Sequence, residues 1–527
     1  MSKNRSGDIP HLRKKGTATH LIVDGRPFVM LGGELHNSSS SSLAYMEPIW
    51  PRLAQLGLNT VLAPVTWELT EPEEGKLDFT LVDGLVEGAR RHNLKLVPLW
   101  FGTWKNTSSS YAPQWMKTNL KRFPRAQLPG EKNTDAVTCF SKAACQADAR
   151  AFGALMRHLR EVDGKEHTVI TVQVENEVGV LKTPRDRCEM AEERFAQQVP
   201  KELAKYVKEH AEHLTPYLKK VWTEGGSKTA GTWREAFGSG ADEVFMAWHI
   251  AKYVDRVAEA GKTEYPLPMY VNAWLGPQQE GQLPGDYPSG GPVARMMDVW
   301  RAAAPSIDFL APDIYVEDFR GVCCEYTHNG NPLMIPEARP NEQAAANVFY
   351  AIAQHDALCF APFAIDSVVE PHPLTASYRL LREMMPVIAE FHGTGRMFGF
   401  ADDPSHGPRW NVYTNGMMRG FDRELGGYRL QVRFNKPYES GKAPAAGLII
   451  ASEDDEYIVA GAGFTLSFAP KSGEAANVEI LTLDEGKYED GKWVPSRRLN
   501  GDESQGGKLV HMGDEMDVRK AKVYSYP

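Results

Sequence analysis

The feature that most constrains the fold of this chain is an alternation of short apolar runs with helix-like stretches through its first three quarters. Each run is nearly continuous in apolar residues, which indicates a strand buried on both faces, as in parallel sheets. The segments between the runs have helical periodicity. The eight predicted strands are 28–36, 60–67, 95–104, 168–177, 269–275, 307–315, 333–337 and 358–365.

The intervening segments predict helices at 48–56, 81–92, 142–160, 241–260, 292–303 and 342–354. Eight strands alternating with helices predict a (β/α)8 TIM barrel. A doubly wound open sheet is the competing interpretation, and it usually carries a glycine-rich phosphate loop after its first strand. Here Gly32 and Gly33 are followed by Glu34, Leu35 and His36, which form no such loop. The sequence therefore favours the barrel.

The chain divides into two predicted domains. After about residue 398, short alternating segments separated by Gly, Asp and Asn are typical of antiparallel strands. We predict an N-terminal tail at 1–19, a barrel at 20–397 and a C-terminal antiparallel β-sandwich at 398–527. A charged, helical stretch at about 181–240 is longer than an ordinary βα connection and is predicted to be an insertion in the barrel.

The charge balance bears on possible partners. Lys plus Arg is 59 and Asp plus Glu is 68, a net charge of −9. Nucleic-acid binding needs a basic face, so no nucleic-acid partner is expected. No apolar run approaches the roughly 18 residues of a membrane span, and the basic N-terminus leads into no apolar segment. We expect a cytoplasmic protein as written, or a periplasmic or secreted one if a leader has been removed. A homo-oligomer is left open.

Two acidic residues stand at the ends of predicted strands, where the reactive groups of a TIM barrel lie. The fourth apolar run ends at Glu177 and the seventh at Glu337. Two carboxylates about 5 to 5.5 Å apart are what a retaining glycosidase needs. We predict Glu337 as the nucleophile and Glu177, held protonated beside it, as the general acid and base. Tyr315 is expected to donate a hydrogen bond to Glu337, and Asn176 one to a sugar 2-hydroxyl.

Other polar and aromatic residues follow the predicted strands. They are candidates for holding sugar hydroxyls or stacking on a pyranose face: Glu34, His36, Trp67, Glu68, Trp104, Asn106, Asn272 and Trp274. Glu175 lies two residues before Glu177 and is interpreted as structural. A Schiff-base aldolase would need a buried lysine at a strand end, and Lys105 is the one residue near such a position.

Several motifs resemble family-35 glycoside hydrolases, the β-galactosidases. They are Gly32–His36, the segment 50–61, Trp67–Pro72 followed by Gly75–Phe79, and the run Gln173-Val174-Glu175-Asn176-Glu177-Val178-Gly179. The resemblance covers about residues 20–390. The chain departs from the family at Glu68, at Val178 and on the third strand, where the usual Cys-Ala-Glu is missing.

The resemblance implies a retaining exo-glycosidase that releases terminal β-galactosyl units from oligosaccharides. No metal or organic cofactor is expected, because the two carboxylates supply both the nucleophile and the proton. Two alternatives stay open. One is the same mechanism on another sugar, as in a β-glucosidase or α-L-arabinosidase. The other is a non-catalytic carbohydrate-binding barrel.

Overall fold

The computed structural model describes residues 8–403, 409–411, 416–436, 439, 441–471, 477–489 and 491–527. Its first fourteen strands are β1 His11–Lys15, β2 Ala18–Val23, β3 Arg26–Phe28, β4 Met30–Leu31, β5 Thr60–Thr66, β6 Lys95–Phe101, β7 Arg125–Leu128, β8 Lys132–Val137, β9 Val172–Val174, β10 Met269–Trp274, β11 Phe309–Ile314, β12 Met334–Ile335, β13 Glu337–Ala338 and β14 Cys359–Phe360.

Along the chain, the helices α1 to α14 lie between β4 and β14, and α15 follows β14. They are α1 Leu43–Met46, α2 Ile49–Gln55, α3 Trp67–Thr70, α4 Thr80–Arg91, α5 Gln114–Lys117, α6 Lys142–Asp163, α7 Glu189–Phe195, α8 Lys201–Glu209, α9 Pro216–Glu224, α10 Trp233–Phe237, α11 Ala241–Glu264, α12 Met297–Ala303, α13 Phe319–Tyr326, α14 Ala344–Phe349 and α15 Pro373–Phe391. A π-helical turn, Tyr350–Gln354, continues α14. In the described residues, no helix is long and apolar enough to cross a membrane.

The parallel strands form a curled, TIM-barrel-like sheet. One six-stranded sheet has the order β13-β11-β10-β9-β6-β5, and a second has the order β12-β14-β4. Strands β12 and β13 flank Pro336, which has no N–H to donate to a ladder. Beyond β4, the Leu35 N–H donates to the carbonyl of Leu62 on β5 at 3.0 Å. The segment after β4 therefore pairs with β5, the edge strand of the six-stranded sheet.

Alternation along the strands divides the apolar side chains between the inside and the outside of the sheet. Leu62, Val97 and Tyr270 belong to a small inner cluster, whereas Val61 and Leu96 belong to the large cluster that includes the surrounding helices. The first strand, β4, is shorter than predicted, although backbone hydrogen bonds continue past it: the Gly32 N–H donates to the carbonyl of Phe360 at 2.9 Å, and the carbonyl of Gly33 accepts from the N–H of Leu62 at 3.0 Å. A Cβ on Gly33 would lie 2.5 Å from the side chain of Ile365, so only glycine fits there.

The predicted N-terminal tail, residues 1–19, is corrected by the structure over residues 8–19, and residues 1–7 lie outside the described residues. β1 and the first residues of β2 lie within it, and β1, β2 and β3 form an antiparallel sheet. The polar sequence of β1, His-Leu-Arg-Lys-Lys, gives no strand signal of its own. Its partner β2 is fully buried, and Leu21 and Val23 join the inner cluster of the barrel.

The remaining strands are antiparallel and lie after α15. They are β15 Met397–Ala401, β16 Arg409–Asn411, β17 Gly416–Met418, β18 Gly420–Leu425, β19 Tyr428–Phe434, β20 Ala446–Ala451, β21 Glu456–Ala462, β22 Phe464–Ala469, β23 Asn477–Glu489, β24 Lys492–Leu499, β25 Val510–Met512 and β26 Asp517–Tyr526. A six-stranded sheet has the order β15-β20-β21-β26-β23-β24, and a four-stranded sheet has the order β18-β19-β22-β25.

Strands β15, β20 and β21 of the six-stranded C-terminal sheet are buried on both faces. One face contributes Phe398, Ile449 and Val459 to a core shared with the four-stranded sheet. The other contributes Leu448 and Ile450 to the large core of the barrel and its helices. Because every residue of β20 is buried, its run Ala-Gly-Leu-Ile-Ile-Ala lacks the polar alternation of a strand with one wet face.

Candidate active site

Three carboxyl groups meet at one end of the parallel sheet. Glu177 follows β9, Asp313 lies near the end of β11, and Glu337 begins β13. One carboxylate oxygen from each lies within 4.8 Å of the other two. Their side chains are buried, and Asp313 pairs in register with Glu337 on the neighbouring strand. The carboxyl ends of parallel strands thus bring together acids that are distant in sequence.

Glu337 is held by two donors. The hydroxyl of Tyr315 donates to its Oε2 at 2.7 Å, the contact that the sequence predicts. The Nδ2 of Asn272 lies 3.5 Å from its Oε1. Burial and the charge of Glu337 raise the pKa of Tyr315, so this hydroxyl stays protonated and remains a donor. Two donors favour the ionised form of a carboxyl group, which is the form a nucleophile needs.

Glu177 is arranged to hold a proton near neutral pH. Burial and the charge of Glu337 raise the pKa of Glu177 to about 7, while Lys105 opposes the shift. Its backbone N–H donates to Oδ1 of Asn272 at 3.0 Å, and Nδ2 of Asn106 donates to its Oε2. Asn272 therefore connects the two proposed catalytic residues through one amide group.

A buried lysine lies among the acids. Lys105 is 5% exposed; burial lowers its pKa, but Glu337, Glu177, Glu34 and Asp313 raise it on balance. An ammonium held in this way is a poor nucleophile, which argues against the Schiff-base alternative. The oxygens of Glu177, Asp313 and Glu337 are close enough to share a cation. Because the ammonium already supplies positive charge there, we assign no metal to them.

Glu34 and Asn176 are buried polar groups with nothing to bond in the described residues. Both carboxyl oxygens of Glu34 and both amide atoms of Asn176 lack a hydrogen-bond partner there. Burial and the charge of Glu337 raise the pKa of Glu34 well above its ordinary value. Unpaired buried polar groups are costly, so these atoms are suited to a polar ligand that would satisfy them.

The segments that carry the site are linked behind it. Glu175 accepts hydrogen bonds from the backbone N–H groups of Thr103 at 3.2 Å and Trp104 at 2.7 Å. The carbonyl of Trp104 in turn accepts from the N–H of Asn176 at 3.2 Å. Burial and the neighbouring Asp148 raise the pKa of Glu175 well above its ordinary value. Glu175 is thus a protonated anchor, in agreement with its interpretation as structural.

Several non-glycine residues here have left-handed backbone. The φ angles are 49° at Asn106, 63° at Thr107, 61° at Glu175 and 45° at Glu177. Such conformations cost about 1–3 kcal/mol each and persist where surrounding contacts hold them. The N–H of Thr107 donates to the carbonyl of Glu177 at 3.2 Å, one of the contacts that hold them.

Two predicted sugar-binding tryptophans have partners inside the protein. Trp67 is fully buried, and its Nε1 donates to Glu71 at 2.7 Å. Trp104 is 4% exposed and donates from Nε1 to the carbonyl of Val137 at 3.1 Å. Both indoles are packing residues because their donors are used inside the protein, which corrects the sequence interpretation.

The other predicted residues are placed as follows. Glu68 pairs with Lys117 at 3.0 Å, and no described contact links it to the three carboxyl groups. His36 is partly exposed and lies 3.0 Å from Asp366. Trp274 is half-buried at the end of β10, in register with Asp313, and is the predicted aromatic residue best placed to meet a ligand.

Asp313 and Lys105 are the residues that sequence reasoning undervalued. In the predicted strand 307–315 only the last residue, Tyr315, is a predicted site residue, although Asp313 lies two residues earlier and points to the same face. Lys105 follows Trp104 rather than an apolar run, so the sequence gives no clear strand-end signal for it. A carboxylate two positions from a proposed site residue on one strand is a signal that could have found Asp313.

Comparisons with known proteins give two matches to family models. Residues 44–236 match the family-42 glycoside hydrolases, described as Beta-galactosidase. Residues 374–511 match a domain of unknown function, DUF5597. The matching β-galactosidase family is therefore 42, and family 35 in particular is not supported by this match.

A curated relative points the same way. A β-galactosidase of Xanthomonas manihotis is 28% identical over 168 residues, which is 31% of this chain. The match spans 25% of that relative's length. The family-42 model and this curated relative both describe glycoside hydrolases.

Solved structures with a similar fold are distant. A β-galactosidase from Bacillus circulans sp. alkalophilus has a TM-score of 0.46 at 16% identity and covers 68% of this chain and 57% of its own. The catalytic domain of a β-amylase from Paenibacillus polymyxa has a TM-score of 0.46 at 11% identity. That match covers 65% of this chain and 94% of the β-amylase domain. Likenesses at this level do not bear on the substrate.

Proposed function

We propose that this chain is a glycoside hydrolase acting by the retaining, double-displacement mechanism. The observation that carries the proposal is the spacing of Glu177 and Glu337, with oxygens within 4.8 Å of each other. Retaining enzymes hold their two carboxyl groups about 5–5.5 Å apart, whereas inverting enzymes need about 6.5–9.5 Å to admit a water molecule.

In this mechanism Glu337 attacks the anomeric carbon and forms a glycosyl ester with inverted configuration. Glu177 protonates the leaving oxygen as the bond breaks, and then takes a proton from the water that cleaves the ester. The second attack inverts the carbon again, so the original anomer is released. Asn176, whose amide atoms are unpaired, is proposed to bond the sugar 2-hydroxyl. Trp274 is proposed to stack on the ring.

The proposed substrate is an oligosaccharide with a terminal β-galactosyl unit. The β-galactosidase family model and the curated relative support this sugar, as does the motif resemblance to family 35. We also propose that 20–397 form a closed (β/α)8 catalytic barrel and 398–527 a β-sandwich domain. The DUF5597 model matches residues 374–511, so it covers α15 together with C-terminal strands up to β25.

The test is hydrolysis of aryl β-galactoside, β-glucoside and α-L-arabinoside, with the anomer of the first product followed by NMR. We expect the β-galactoside to be cleaved fastest, with retention. Glu337→Gln should abolish turnover, and azide should restore activity to Glu177→Ala on an activated substrate. Glu161→Gln, at an exposed position on α6, is the matched control. An inverted first product, or full activity in both site variants, would contradict the proposal.

A further inference from the structure

A third carboxyl group lies between the two proposed catalytic ones, and the mechanism above gives it no task. Asp313 is 2% exposed and stands in register with Glu337. Its Oδ2 accepts a hydrogen bond from Nδ2 of Asn272 at 2.7 Å. Its Oδ1 has no donor among the described residues. One oxygen of Asp313 therefore accepts a hydrogen bond, and the other is buried without a partner among the described residues.

Like charges cannot all be held at this spacing. Three buried carboxylates within 4.8 Å of one another repel strongly, so at least one must keep a proton. The charged or titratable groups that face Asp313 in the described residues come from seven elements: Glu34 after β4, Lys105 after β6, Glu177 after β9, Tyr270 on β10, Tyr315 after β11, Tyr326 on α13 and Glu337 on β13. Lys105 is the single cation among them.

Charge balance through the reaction decides which carboxyl groups stay neutral. Before bond cleavage, the mechanism requires Glu337 ionised and Glu177 protonated, which places one negative charge against Lys105. After the first step Glu337 is an ester and Glu177 is the carboxylate, again one charge against one. The balance holds at both stages only when Asp313 and Glu34 are neutral.

We infer that Asp313 is a neutral carboxylic acid whose Oδ1 donates a hydrogen bond to Glu177 once Glu177 has given up its proton. The proton sits on Oδ1 because Oδ2 already accepts from Asn272. The inference rests on the proposed retaining mechanism. Asp313 is thus a positioning residue: it holds the Glu177 carboxylate in place while that group waits to activate water.

The electrostatics agree with this geometry. Burial raises the pKa of Asp313 well above its ordinary value, and the charges of Glu337 and Glu177 act in the same direction. The proposed hydrogen bond from Asp313 would act in the opposite direction on Glu177 and lower its pKa. A neutral donor and an ionised acceptor are the expected outcome for such a pair.

The test compares pH profiles of kcat/KM for the intact protein and for Asp313→Asn, using an aryl β-galactoside. The amide is neutral and keeps a donor, so the basic limb set by Glu177 should stay within about half a unit of its original position. If Asp313 were ionised, the substitution would remove a negative charge beside Glu177. The basic limb would then move down by about a unit or more, and the inference would be overturned.

A second variant removes the donor. Asp313→Leu should move the basic limb upward and slow the second step, so that a burst of aryl alcohol precedes steady turnover. An unchanged limb without a burst would contradict the donor role. Asp308→Asn is the control, because Asp308 precedes the opposite end of the same strand and bonds Lys262 and the N–H of Met269. It should leave both limbs in place.

Infrared difference spectra provide a measurement that does not depend on the second variant folding. At neutral pH the protonated-carboxyl band should be weaker in Asp313→Asn than in the intact protein, and an unaltered band would overturn the inference. Failure of the proposed function is distinguishable, because it would appear in the unsubstituted protein as no glycosidase activity or an inverted product.

Discussion

Tyr315 donates a hydrogen bond of 2.7 Å to Oε2 of Glu337 across two neighbouring parallel strands. A hydrogen bond to a charged group contributes about 1.5–3 kcal/mol. Tyr315→Phe should therefore lower kcat about ten- to a hundredfold, because the nucleophile loses a donor while the substrate loses none. Steady-state kinetics should show KM little changed. A large rise in KM with kcat unchanged would instead mean that the hydroxyl contacts the sugar.

The pH dependence of the reaction should follow Glu177. Its pKa is raised to about 7, so the general acid is protonated below that pH and is lost above it. We expect kcat/KM to fall about tenfold per unit above pH 7. Lys105→Met should move this limb upward, because removing a positive charge beside Glu177 favours its protonated form. A downward shift in Lys105→Met would show that the ammonium does not act on Glu177.

The buried pair of Glu175 and Asp148 should matter through its hydrogen bonds rather than its charge. Glu175→Gln keeps an acceptor for the N–H of Trp104 and a donor toward Asp148, so fold and activity should largely survive. Glu175→Ala leaves that buried N–H unpaired, at a cost of about 1–3 kcal/mol. Because the same segment carries Asn106, kcat should fall as well. Urea unfolding and kinetics of the two variants measure both effects, and equal behaviour of the two would contradict this role.

Two tryptophans that look alike in the sequence should differ in effect. Trp67 is fully buried and bonds Glu71, so Trp67→Ala should lower the free energy of unfolding by about 3–5 kcal/mol. Trp274 is half-buried at the site, so Trp274→Ala should raise KM and leave stability nearly unchanged. Denaturation midpoints and kinetics of the two variants decide this, and a stable Trp67→Ala protein with raised KM would reverse the assignment.

The strand–helix alternation and the two acids at strand ends can be predicted from the amino-acid sequence alone. Both signals are local. A strand that is buried on both faces is a continuous apolar run in the sequence, and the polar site residue comes directly after that run. The hydrogen bond between Tyr315 and Glu337 is therefore predictable from the sequence. The polar strand β1 was missed because its burial comes from its partner β2 rather than from its own residues.

Which strand-end residues lie together in one site depends on the tertiary structure. Strand register brings Asp313 opposite Glu337, and the left-handed backbone at Asn106 and Glu177 turns those side chains toward each other. The tertiary structure also places Trp67 and Trp104 in the protein interior. These placements depend on the curl and the register of the whole sheet, and a short stretch of sequence carries no information about either.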